Sequence, residues 1–137
     1  MNIALWVVQV LLAAAFLAHG LMFLFPPADL LELMNATIPP AFRYFLGVAE
    51  VLAAFGLTVP GITRIQPWLV PSAAAGLIIV MIGATILHIT RAEYSSAAIT
   101  TLLLVMATFV AYMRWKVMPI APRNAALAPR GRHGMTT

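Results

Sequence analysis

The chain has 137 residues, of which 63% are apolar and only 9% charged, whereas soluble domains carry about 25% charged residues. So little polar side chain cannot cover a soluble globule, and the composition calls for lipid as the solvent and for one compact membrane domain. The net charge is +4 and cysteine is absent, which excludes disulfides, thiolate metal sites and Cys-x-x-Cys electron exchange with quinones.

Residues 2–25 carry no formal charge apart from His19 and read as the first membrane-spanning helix. A cleaved signal peptide is the competing reading. Against it, no Lys or Arg precedes the apolar run, which exceeds the ~7–15 residues usual for such segments. Pro26-Pro27 ends the helix, because proline lacks the amide donor and clashes with the preceding turn. Residues 29–35 are short and amphipathic and are expected on the membrane surface, with Leu30, Leu31, Leu33 and Met34 toward apolar surroundings. Pro39-Pro40 opens a second span, residues 41–59, which Pro60-Gly61 is expected to stop. The third span, residues 68–89, follows Pro67 and places Trp68 at the interface. After the loop Arg91-Ala92-Glu93-Tyr94, the fourth span, residues 96–115, closes on Tyr112, Arg114, Trp115 and Lys116, a typical interfacial anchor set. The predicted fold is all-α, a polytopic four-helix transmembrane bundle over residues 1–116. Residues 117–137 form a basic tail whose composition predicts disorder.

Four spans put both ends of the chain on one side. Arg64, Arg114, Lys116, Arg123, Arg130 and Arg132 share that side, while Arg43 and Arg91 lie on the other with Asp29, Glu32 and Glu93. The positive-inside imbalance places both termini in the cytoplasm. The basic tail then sits beside anionic lipid, which is favoured over a nucleic-acid arm.

Glu50 stands out. At ~1.5 Å per residue it lies ~14 Å from Ala41, near the midplane of a ~30 Å hydrocarbon core. A charge there costs roughly 2.5–3.5 kcal/mol, so the carboxyl is expected to be protonated, paired or turned to a polar cavity. Arg43, Gly47 and Glu50 share one helix face. His19, Arg43, Tyr44 and His88 are all assigned to the outer half of the bundle, above Glu50. On the third span His88, Thr85, Ala84, Met81 and Leu77 form one stripe and Gly76 and Gly83 an adjacent one. Thr101, Thr108 and Tyr112 align on the fourth.

These stripes could enclose a cavity with Glu50 as general acid or base and with Arg43, Tyr44, Gly47, His19, His88 and Tyr112 binding a ligand. Each also has a structural reading. Glu50 bonds across helices to His19 or Thr108; Arg43 snorkels to headgroups; His88 sits at the interface; the glycines serve close packing. Two histidines on separate helices are the minimum for a haem, but their depths differ by a turn and no third ligand pattern accompanies them. No metal site and no cofactor motif is evident: phosphate loop, dinucleotide fingerprint, nucleophile elbow and metalloprotease motif are all missing from the sequence.

The run Arg43-Tyr44-Phe45-Leu46-Gly47-Val48-Ala49-Glu50, followed by Phe55-Gly56-Leu57 and Pro60, resembles the second helix of the DoxX-like membrane proteins. Pro67-Trp68-Leu69, Ala74-Ala75-Gly76, Met81-Ile82-Gly83-Ala84 and His88-x-x-Arg91 resemble that family's third helix, and Val110-Ala111-Tyr112-Met113-Arg114 its closing segment. Gly20 also fits. The resemblance covers about residues 3–116 and departs from the family pattern at Thr100-Thr101, where relatives often carry Asn. It implies a four-helix protein of the bacterial cytoplasmic (inner) membrane, serving as an accessory or quinone-associated subunit of a membrane redox system with electrons supplied by a partner protein. Two alternatives remain open. One is a membrane-embedded enzyme that isomerises or ring-opens a lipophilic small molecule through Glu50. The other is an oligomeric transporter, for which Ser72, Gly76 and Gly83 offer a homo-oligomer face.

Overall fold

The computed structural model describes residues 2–127. Its main elements are α1 (Asn2–Leu24), α2 (Ala28–Thr37), α3 (Pro40–Thr63), α4 (Leu69–Thr90) and α5 (Tyr94–Tyr112). The last continues into a π-helical turn, Met113–Val117, and a 3₁₀ turn follows at Arg123–Leu127. Four helices are long and apolar enough to cross a membrane: α1, α3, α4, and α5 with its π turn.

These helices close a ring. α1 packs on α3, α3 on α4, α4 on α5 and α5 back on α1. The sequence encodes this through alternating spacings of three and four. Arg43, Gly47, Glu50, Ala54, Leu57 and Gly61 are buried on α3, and Leu5, Gln9, Leu12, Phe16, Gly20 and Phe23 on α1. Residues so spaced form a narrow seam, as in left-handed helix pairs. α1 and α3 run antiparallel in one register: Phe23 faces Arg43, Gly20 faces Gly47, His19 faces Glu50, Gln9 faces Leu57 and Trp6 faces Gly61. The other half of the core contributes Ala74, Leu77 and Met81 from α4 and Ala107, Val110 and Ala111 from α5. Thr85 Oγ1 donates to Thr100 Oγ1 at 2.9 Å and ties α4 to α5.

Outside the seams the surface is apolar. Leu52, Ile79, Ile86, Ile99, Leu102 and Val105 all stand exposed, an arrangement that water does not tolerate over such an area and that lipid does. This is an integral membrane protein.

The end of α3 and the start of the tail differ from the sequence expectation. α3 does not stop at Pro60 but runs through it to Thr63, where Arg64 adopts a left-handed conformation (φ 58°). Proline removes the bond to Gly56 O, a loss that a helix packed inside a bundle tolerates, and Gln9 Nε2 donates to the neighbouring carbonyl, Leu57 O. α2 connects α1 to α3 and buries only Met34, with Leu33 exposed. The composition of residues 117–137 predicts disorder, yet Arg123–Leu127 form a 3₁₀ turn and the Arg123 amide donates to Arg64 O at 3.1 Å. Arg130 and Arg132 lie outside the described residues.

Candidate functional site

The α1–α3 seam carries the buried carboxyl. Gly20 and Gly47 bring the two backbones together: a Cβ at Gly20 would stand 2.9 Å from Gly47 O, and one at Gly47 would stand 3.0 Å from Gly20 O. That approach is what lets Glu50 on α3 reach His19 on α1. Glu50 Oε2 and His19 Nδ1 share a hydrogen bond at 2.6 Å. The Glu50 side chain is 2% exposed and that of His19 45%. The pair therefore joins a sealed carboxyl to an imidazole on the lipid-facing surface. Phe23, with its ring centroid 4.4 Å from that of His19, flanks the imidazole.

About two turns nearer the start of α3, Arg43 is 2% exposed. It does not snorkel to headgroups as expected. Its Nη1 donates to Phe23 O, at the end of α1 where the last carbonyls lack helical partners, and its guanidinium lies 4.4 Å from the Tyr44 ring centroid. Its Nε is buried without an acceptor among the described residues.

The remaining candidate residues do not join this pair. His88 Nδ1 bonds Glu93 Oε2 at 2.6 Å across the α4–α5 turn, so His19 and His88 each have their own carboxylate and the expected ceiling of these two histidines over Glu50 does not form. Tyr44 is exposed beside Arg43. Tyr112 is also exposed, and it closes α5 at the opposite end of the bundle. Thr108 bonds its own helix at Leu104 O rather than Glu50. Gly47 admits a helix, not a ligand. Concavities lie elsewhere: one between the α3–α4 loop and Pro122–Asn124, another along Ile3, Trp6, Val7, Val10 and Leu11 of α1.

A second polar cluster escaped the sequence reading. Gln9, fully buried, accepts from Arg114 Nε at 2.8 Å, so Arg114 is not an interfacial anchor but part of the core. The signal was present: Gln9 is a lone amide in an apolar run, at a seam position between Leu5 and Leu12.

The chemistry available at His19 follows from its two nitrogens. An ionised carboxylate only accepts, so Nδ1–H donates to it and Nε2, on the far edge of the ring, presents a lone pair. With the proton on Glu50 the roles reverse, and Nε2–H becomes a donor. A proton gained at Nε2 can thus pass to Glu50, which no bilayer molecule touches directly.

Fold and site together define a small four-helix integral membrane protein with a carboxyl–imidazole pair opening toward lipid. The chain belongs to the DoxX-like family, which matches residues 7–110. No curated protein and no solved structure matches it.

Proposed function

We propose that this chain binds a lipophilic molecule of quinone type at His19 and exchanges protons with it through the His19–Glu50 pair, as an accessory subunit of a membrane redox system. One observation carries this reading: the hydrogen-bond partner of the sealed Glu50 carboxyl is a half-exposed imidazole on the lipid-facing surface. A carbonyl arriving from the bilayer would accept from Nε2–H. Reduction of a quinone to a quinol consumes two electrons and two protons. The cysteine-free chain offers no dithiol to supply the electrons, so a partner protein delivers them, and the pair handles one proton at a time. Family membership supports the redox setting as an expectation.

The test is equilibrium binding of a short-tailed quinone to the protein in lipid nanodiscs. His19→Ala should weaken binding by up to about tenfold, the worth of one hydrogen bond. Glu50→Gln should keep binding and slow proton uptake during reduction. Unchanged affinity in a folded His19→Ala protein would sink the proposal.

The enzyme alternative draws on the same pair and requires no electron donor. In that case His19 is the group that touches substrate and Glu50 the proton reservoir behind it. Turnover of a lipophilic substrate without reductant, lost in Glu50→Gln, would favour it. The transporter alternative draws on Gly76 and Gly83, where nothing lies within 4 Å of an added Cβ. A stable oligomer that moves solute across proteoliposomes would favour that reading.

A further inference from the structure

At the other end of α1 the chain buries a cation with no counter-ion among the described residues. Arg114 is 4% exposed. Its Nε donates to Gln9 Oε1 at 2.8 Å, and its Nη1 donates to Asn2 Oδ1 at 3.2 Å and to Met118 O at 3.4 Å. Nη2 is buried with no partner among the described residues. Every acceptor is neutral. The four acidic side chains of the sequence are Asp29, Glu32, Glu50 and Glu93. Glu50 pairs with His19, and the others sit in α2 and the α4–α5 loop, at the opposite end of the bundle. A guanidinium does not shed its proton, and a desolvated charge held only by neutral acceptors is costly.

The geometry gives this charge an inner and an outer edge. Gln9 cannot turn over, because its Nε2 donates to Leu57 O and its oxygen must face Arg114. The Nε edge is thereby satisfied from inside the bundle. Nη1 reaches Asn2, an exposed residue at the start of α1. Beside it runs a shallow, open apolar groove along one face of α1, formed by Ile3, Trp6, Val7, Val10 and Leu11. Trp6 belongs to both features: its ring lies 4.9 Å from the guanidinium and is seated against Gly61, where a Cβ would stand 2.8 Å from it.

We propose that this end of the bundle is a binding site for an anionic phospholipid. The phosphate bridges Nη1 and Nη2 of Arg114 in place of Asn2 Oδ1, and one acyl chain lies in the α1 groove. A phosphate oxygen supplies the acceptor that Nη2 lacks and the charge supplies the missing counter-ion, in the bidentate manner guanidinium favours. The groove follows α1 from the bundle end inward, the course of a lipid tail. Arg64 and Lys116, exposed at the same end, add an attractive field. The site is independent of His19 and Glu50.

The experiment uses the full chain in phosphatidylcholine nanodiscs with and without phosphatidylglycerol, read by thermal unfolding and by native mass spectrometry of retained lipid. A third arm adds inorganic phosphate alone. Phosphatidylglycerol should be retained and should raise the melting temperature; phosphatidylcholine and inorganic phosphate should do neither. Arg114→Gln should lower affinity for phosphatidylglycerol by about tenfold or more. Because Arg114 is buried, a second variant accompanies it. Val7→Trp, on the exposed face of α1, fills the groove, leaves every Arg114 bond in place and should cause a comparable loss. Equal retention of both lipids by the natural chain overturns the proposal. So does occupation by inorganic phosphate alone, or phosphatidylglycerol binding that persists in Val7→Trp.

Discussion

Two glycines set how closely α1 and α3 approach, and the Glu50–His19 bond depends on that closeness. Gly20→Ala would drive a methyl to within 2.9 Å of backbone at Gly47 O, where no rotamer change relieves the clash. Overpacking of this kind costs about 1–3 kcal/mol. Gly76→Ala meets open space and should change stability by no more than ~1 kcal/mol, the difference in helix propensity. Thermal unfolding in one detergent compares the two variants directly; equal melting temperatures would mean the seam is looser than the structure has it. Glu50→Gln keeps a hydrogen-bonding group against His19 and should cost no more than about 0.6–2 kcal/mol, the usual worth of an interhelical hydrogen bond in a membrane. A much larger loss would make Glu50 chiefly a fastener. The sequence marked Glu50 through its cost in lipid and offered His19 as a partner, but it also offered Thr108. Only the register of α1 on α3 decides between them.

At the scale of elements, the spans were legible because hydropathy and proline runs are local signals. The end of α3 was not, because Pro60 reads as a stop, whereas a helix packed in a bundle can continue past a proline. Gln9 of α1 lies against the same stretch of α3, bonding Leu57 O and Arg114 together. The burial of Arg43 and Arg114 was hidden for a related reason. An arginine near a span end defaults to headgroups, and what draws each inward is an acceptor on another helix, Phe23 O for one and Gln9 Oε1 for the other. This makes Gln9 a joint between three helices. Gln9→Leu leaves a buried guanidinium edge unpaired and removes the side-chain donor to Leu57 O, and it should destabilise the fold by about 2–3 kcal/mol. Arg114→Leu in the Gln9→Leu background should recover part of that loss, because no orphaned charge remains. A double-mutant cycle by chemical unfolding measures the coupling; strictly additive losses would mean the two side chains do not act together.

At the scale of the molecule, folding changes the charge count that fixes orientation. Burial of Arg43 and Arg114 withdraws one arginine from each end of the bundle. Among the described residues, Arg64, Lys116 and Arg123 remain exposed at the end that holds Asn2 and the close of α5. Arg91 remains at the other end, beside Asp29, Glu32 and Glu93. The asymmetry is therefore as one-sided on the folded surface as in the sequence, and it predicts the Asn2 end in the cytoplasm. The chain lacks cysteine, so single cysteines can be placed without a prior cysteine-free background. Gln66→Cys in the α3–α4 loop should resist a membrane-impermeant maleimide in intact cells and react after lysis. Ala92→Cys in the α4–α5 loop should react in intact cells. Both positions are exposed, so accessibility reports sidedness rather than burial. The opposite pattern would invert the molecule. It would put the Arg114 end, with its buried cation, in the outer leaflet and the His19–Glu50 pair nearer the cytoplasm. Partial labelling of both sites would mean that this charge difference is too small to impose one orientation.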